Sequence, residues 1–263
     1  MKLPRKNISL QGFRAYSDRI LTIKDYKTIM ALSSITKKLI MSISGLFLIV
    51  FLLLHMTINL FSVIDTCKGT YGAADGLFQA GCDFMALPIV TIMVPVLALG
   101  FLVHIVYAGI LTAGNIQARG GLNRYAGGSK GKAESWASKN MLVLGIVVLG
   151  FIAFHLNHFW AEMQLNEFMG EHAENPYKLL EATFQNGWMV VAYVIWFAAL
   201  GQHLLHGFWS AFQTIGLSNS IWEKRLYCLG KIFVGIIVLG FSVVAVNAYL
   251  QANGLLCCNC CAC

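Results

Sequence analysis

MSISGLFLIVFLLLH, residues 41–55, contains no Asp, Glu, Lys or Arg and ends on a histidine. The apolar run around it extends over roughly 39–63, and about 20 such residues suffice for a helix to cross the hydrocarbon layer. Working outward, comparable runs lie at roughly 88–113, 140–161, 188–213 and 232–251. The first four each hold a histidine at depth: His55, His104, His155 and His203. An ionisable side chain in that position is costly and calls for a partner. Four imidazoles can hold two irons in pairs, and bis-histidine haem is how a bundle of apolar helices commonly uses them. A lone membrane histidine can instead be a hydrogen-bonded core residue or a proton relay.

Composition agrees with a membrane reading. Hydrophobic residues make up 57% and charged residues 12% of the chain, with mean hydropathy +0.67; a soluble domain carries roughly a quarter charged residues. The expected fold is all-α, an integral membrane bundle of five transmembrane helices. The segment 1–36 precedes it, 37–252 forms the single domain, and 253–263 is a Cys-rich tail. No internal repeat is evident. The start, MKLPRKNISLQGFRAYSDRI, lacks the apolar core of a cleavable signal peptide.

Charge sets the expected orientation. Of 19 Lys and Arg, nine precede the first span, five follow the second and three follow the fourth. Only Lys68 and Lys178 fall on the opposite side, where eight of twelve acids also lie. The positive-inside rule puts the N-terminus in the cytoplasm and the C-terminus outside. The net charge of +7 is thus a sidedness signal, and nucleic-acid binding is not inferred from it.

At 1.5 Å per residue, His55 and His155 lie about 24 and 22 Å from the cytoplasmic edge, His104 and His203 about 14 and 15 Å. Two axial ligands of one iron need nearly one depth, which pairs His55 with His155 on the outer side and His104 with His203 on the inner side. His158 and His206 share a helix face with His155 and His203. They match the partner depths less well, by about 5 Å.

Four stretches carry a family resemblance: MSISGLFLIVFLLLH with its Ser42-x-x-Gly45 run, FLVHIVYAGI at 101–110, GFIAFHLNHFW at 150–160, and ALGQHLLHGFWSAFQTIGL at 199–217. In the last, His203-x-x-x-Gly207-x-Trp209-Ser210 is followed by Gly216, and this motif is the most specific. From about Ser33 to the end of the fifth span, the chain resembles the dihaem cytochrome b membrane anchor of succinate dehydrogenases and fumarate reductases, the respiratory complex II family. The resemblance implies two haems b on His55, His104, His155 and His203, with Ser42 and Gly45 beside the inner haem. It implies electron relay between an iron–sulfur subunit and a quinone, menaquinone in most dihaem members. A flavoprotein subunit and the iron–sulfur subunit would dock on the basic cytoplasmic face of a bacterial inner membrane. A dimer of such heterotrimers is one assembly left open.

The chain departs from the pattern in places. Some relatives carry a glutamate two residues before the fourth ligand, where this chain has Gly201; a proton route through that carboxylate is not expected. Oxidation of a quinol outside needs a proton acceptor. Asp83 is the candidate, with Asp75 and Glu162 as competitors. Cys67 and Cys82 bracket KGTYGAADGLFQAG and are expected to form an extracytoplasmic disulfide. The terminal LLCCNCCAC shows no zinc-type spacing with a partner half-site. Two other functions fit membrane histidines: the cytochrome b subunit of a formate dehydrogenase or hydrogenase, and a haem-free proton-coupled transporter.

Overall fold

A computed structural model describes residues 33–118, 136–170, 174–217, 219 and 221–256. The basic segment before Ser33, most of the loop after the second span, and the tail cysteines from Cys257 onward lie outside the described residues. Those described are helical, with no strand among them. Long helices are α1 (Ser34–Lys68), α3 (Pro88–Ala118), α5 (Met141–His155), α8 (Gly187–Thr214) and α9 (Trp222–Ala252). Short ones are α2 (Leu77–Met85), α4 (Trp136–Lys139), α6 (Asn166–Met169) and α7 (Pro176–Phe184). A π-helical stretch, Leu156–Leu165, joins α5 to α6, so the third span runs unbroken from Met141 to Met169. Five helices are thus long and apolar enough to cross a membrane.

The helices exceed the apolar runs because amphipathic turns extend them. The fifth run begins near residue 232, yet α9 starts ten residues earlier at Trp222. There Arg225 lies over the Trp222 ring at 5.4 Å and Lys231 over Tyr227 at 4.5 Å. Aromatic faces attract cations, and such residues suit a helix end at a polar–apolar boundary.

The packed pairs of long helices are α1 with α3, α8 and α9, α8 with α9, and α8 with α5. The core therefore follows α1, α8 and α9, around Ile237, Val244, Ala245, Tyr193 and Phe197. The helix α3 buries no residue, and in a membrane its exposed apolar side chains would face lipid.

One end of the bundle is capped by α2 and α7, segments that read as loops in the sequence. Asp65, in the last turn of α1, is 0% exposed. Its carboxylate accepts from the backbone N–H of Leu77 and Phe78, at 2.9 and 2.8 Å, and so caps the N-terminus of α2. It also accepts from Thr70 Oγ1 at 2.9 Å and from the Tyr177 hydroxyl at 2.7 Å. On α7, Asn175 caps the helix by accepting from Tyr177 N, and Pro176 stands at its first turn. Phe78, Tyr71 and Tyr177 pack as one aromatic group.

The expected disulfide is absent: Cys67 and Cys82 are both free thiols. Cys67 is exposed on a groove of about 380 Å³ between α1 and α9, lined also by Val63, Leu239 and Val246. Cys82 packs against the hydrophobic core. The two face different neighbours, and the hydrogen bonds of Asp65 hold the intervening loop instead.

Candidate functional site

The histidines of the first four spans come together in two pairs. His55 on α1 and His155 at the end of α5 have ring centroids 5.8 Å apart. His104 on α3 and His203 on α8 are separated by 6.4 Å. All four rings are half-buried. Neither α1 and α5 nor α3 and α8 is a closely packed helix pair. Each histidine pair therefore reaches across a gap between backbones that do not touch closely.

The pair nearer the capped end has an aromatic surround. Phe51 stacks on His55 at 5.5 Å, and Phe241 of α9 lies 5.8 Å from the same ring. Phe151 and Phe159 flank His155 at 5.7 and 5.0 Å. His158 turns elsewhere, against Phe154 at 4.0 Å, and Phe154 rests on Trp196. His206 is half-buried, one turn beyond His203. The π-helical stretch begins directly after His155. Such an interruption changes the register of the residues beyond it.

Two glycines stand against the other pair. A Cβ on Gly45 of α1 would lie 3.4 Å from His104 Cε1, and one on Gly145 of α5 would lie 3.9 Å from His203 Cε1. The spacing behind this is regular: Gly45 precedes His55 by ten residues, and Gly145 precedes His155 by ten. On a helix, ten residues span about 15 Å. The helices α1 and α5 thus each give an imidazole to one layer and a bare backbone to the other. The sequence reading named Gly45 and overlooked Gly145, although the shared Gly-x9-His spacing was available as a signal.

Polar partners of the imidazoles are few. Ser44, buried on α1, has its hydroxyl 3.3 Å from His104 Nδ1. His155 Nδ1 and His203 Nδ1 are buried with no hydrogen-bond partner. Ser42 is also buried, at 7% exposure, two residues before Ser44 on α1. Among the described residues no group of three or more His, Cys, Asp and Glu side chains gathers at one point.

The acids differ in exposure. Asp83 is exposed on α2 and accepts from Gln79 Nε2 at 2.8 Å; Asp75 and Glu162 are exposed as well. Asp65, read only as one of several acids on that side, is the carboxylate that the fold buries. Gly201 packs against α9, where an added Cβ would lie 2.7 Å from Val238 Cγ2. That face of α8 has no room for a longer side chain unless Val238 moves.

Searches against protein-family models, curated proteins and solved structures matched nothing to this chain.

Proposed function

We propose that the chain is a dihaem cytochrome b, the membrane anchor of a succinate:quinone oxidoreductase working as succinate dehydrogenase or fumarate reductase. The observation that carries this reading is the two imidazole pairs facing each other across unpacked helix gaps, at 5.8 and 6.4 Å between centroids. Two imidazoles sharing one metal, each nitrogen about 2 Å from it, place their centroids roughly 6 Å apart. The ring planes stand at 85° and 62° to one another, and rotation of a ring about the ligand axis would not change that separation.

The donor chemistry fits haem. Two imidazoles fill two positions of a six-coordinate iron, and a macrocycle supplies the other four. A structural zinc site needs four protein ligands. Haem b would give each layer a one-electron carrier. The chain's own residues hold the rings, keep their surroundings apolar through Phe51, Phe151, Phe159 and Phe241, and leave space at Gly45 and Gly145. Ser42 lies on the same helix as Gly45, where its hydroxyl can serve an acidic group of the cofactor.

In this reading the N-terminus is cytoplasmic and the capped end extracytoplasmic, as the charge distribution along the sequence requires. The His55–His155 layer then lies nearer the outside, and the His104–His203 layer nearer the cytoplasm. The basic face would receive an iron–sulfur subunit with its flavoprotein. A membrane quinone, menaquinone in the dihaem class, would exchange electrons with the outer layer, and the exposed carboxylate of Asp83 could take up released protons. The place is a bacterial inner membrane.

The test is a reduced-minus-oxidised spectrum of the purified chain with a pyridine haemochrome count. Two haems b per chain are expected. A chain that purifies folded and haem-free from haem-replete cells overturns the proposal and favours the proton-coupled transporter.

A further inference from the structure

We infer that Ser44 is a positioning residue for the His104–His203 layer: it fixes the His104 tautomer and sets the potential of the haem held there apart from that of the other layer. The inference rests on the haem-ligand reading of His104 and His203. Ser44 Oγ lies 3.0 Å from the carbonyl of Met41 and 3.3 Å from His104 Nδ1. A serine hydroxyl has one hydrogen and two lone pairs. The Met41 carbonyl can only accept, so it takes that hydrogen. Ser44 then accepts at His104, which puts the imidazole proton on Nδ1. Nε2 is left as the free lone pair, and a neutral imidazole binds a metal through that nitrogen.

Two of the other three imidazoles lack this arrangement. His155 Nδ1 and His203 Nδ1 have no partner. The inner layer therefore has one ring oriented by a neighbour and one without. A hydrogen bond from the distal N–H of a ligating histidine raises its basicity and fixes its orientation. A more basic axial ligand favours the oxidised iron and lowers the potential. Ser44 is within the same turn as Ser42 and Gly45, but it is the residue of the three whose polar atom reaches a histidine nitrogen.

The experiment is a redox titration of the full chain in membranes, followed at the α-band and by low-temperature electron paramagnetic resonance, for the parent, Ser44→Ala and Ser44→Thr. Removal of an outer-shell partner commonly weakens a metal site by 10- to 100-fold, and 3.3 Å is a long bond, so a shift of up to about tenfold in the oxidised–reduced equilibrium is expected. For one electron that is about 59 mV. Ser44→Ala should move one haem upward and leave the other in place; Ser44→Thr, which keeps the hydroxyl, should restore the parent value. Should the alanine variant fail to accumulate, Ser44→Cys, similar in shape and a weaker acceptor, should show the same upward shift. An unmoved potential in a two-haem Ser44→Ala variant overturns the inference alone. So does a shift that threonine fails to reverse, or one shared equally by both haems. A parent chain without haem overturns the ligand reading itself.

Discussion

Asp65 and the imidazole pairs are both polar systems within an apolar bundle, and they are treated in opposite ways. Asp65 is fully buried and accepts from four donors, two of them backbone N–H groups that begin α2. Nothing is left over for a ligand. The imidazoles sit in gaps between helices, and His155 and His203 each keep a buried nitrogen without a partner. An unmet buried polar group costs about 1–3 kcal/mol. His158 Nδ1 is unmet as well, so what sets the two pairs apart from the Asp65 clamp is that their rings face each other across helix gaps.

The largest expected effect breaks the site side of that contrast. On the dihaem proposal, His55→Ala or His155→Ala should remove one of the two haems, and His104→Ala or His203→Ala the other, each counted by pyridine haemochrome. His158→Ala should keep both, because its ring faces Phe154. Loss of a haem from His158→Ala with retention in His155→Ala would reverse the assignment on the third span.

Next comes the clamp. Asp65→Ala leaves buried donors of α2 and Tyr177 unmet and should cost roughly 3–5 kcal/mol. The readout is hydrogen exchange over residues 69–87 together with thermal unfolding, with the haem count expected to hold. Loss of haem without loosening of that segment would join the two systems and dissolve the contrast.

A smaller effect isolates one donor. Tyr177→Phe should cost roughly 1.5–3 kcal/mol, the worth of a hydrogen bond to a charged group. Burial first, then the hydrogen bond to Asp65 and its charge, raises the Tyr177 phenol above its ordinary value. A raised acid is stabilising in its protonated form. The contribution is therefore full below the unfolded phenol's pKa near 10 and is lost as pH climbs above it. Parent and Tyr177→Phe melting temperatures should converge at high pH; a gap that stays constant from pH 8 to 11 contradicts this.

Packing changes outside both systems should matter less to function. Gly201→Ala forces a Cβ toward Val238 and should cost about 1–3 kcal/mol of stability, seen as a lower melting temperature with both haem spectra unchanged. The smallest effect concerns the thiols. Cys67 is exposed, whereas burial and then the charge of Asp83 push the Cys82 thiol up to about 12. At pH 8 an alkylating reagent should label Cys67 rapidly and Cys82 only on unfolding. Equal labelling of both would show the capped end to be open.

Much of the bundle was legible in the chain because each helix satisfies its own backbone and an apolar run of about 20 residues is a local feature. The capped end was not. Leu77–Met85 and Pro176–Phe184 are nine-residue helices with no long apolar run, and what fixes them is an acid far from either in ordinary periodicity. Tyr177 meets Asp65 across 112 residues, a separation that no local pattern encodes. The disulfide reading failed for the same reason. Proximity in sequence brought Cys67 and Cys82 together on paper, while their helices turn them toward different neighbours.

The amino-acid sequence by itself determined the helical class and the five apolar spans, since hydropathy is a local property. Only the tertiary structure decided that the paired rings face one another across gaps, that Gly145 matches Gly45, that Ser44 reaches His104, and that Asp65 closes one end. Those facts depend on how each helix is rotated about its axis. Rotation is set by packing between helices distant in sequence, and hydropathy along an all-apolar span leaves it undetermined.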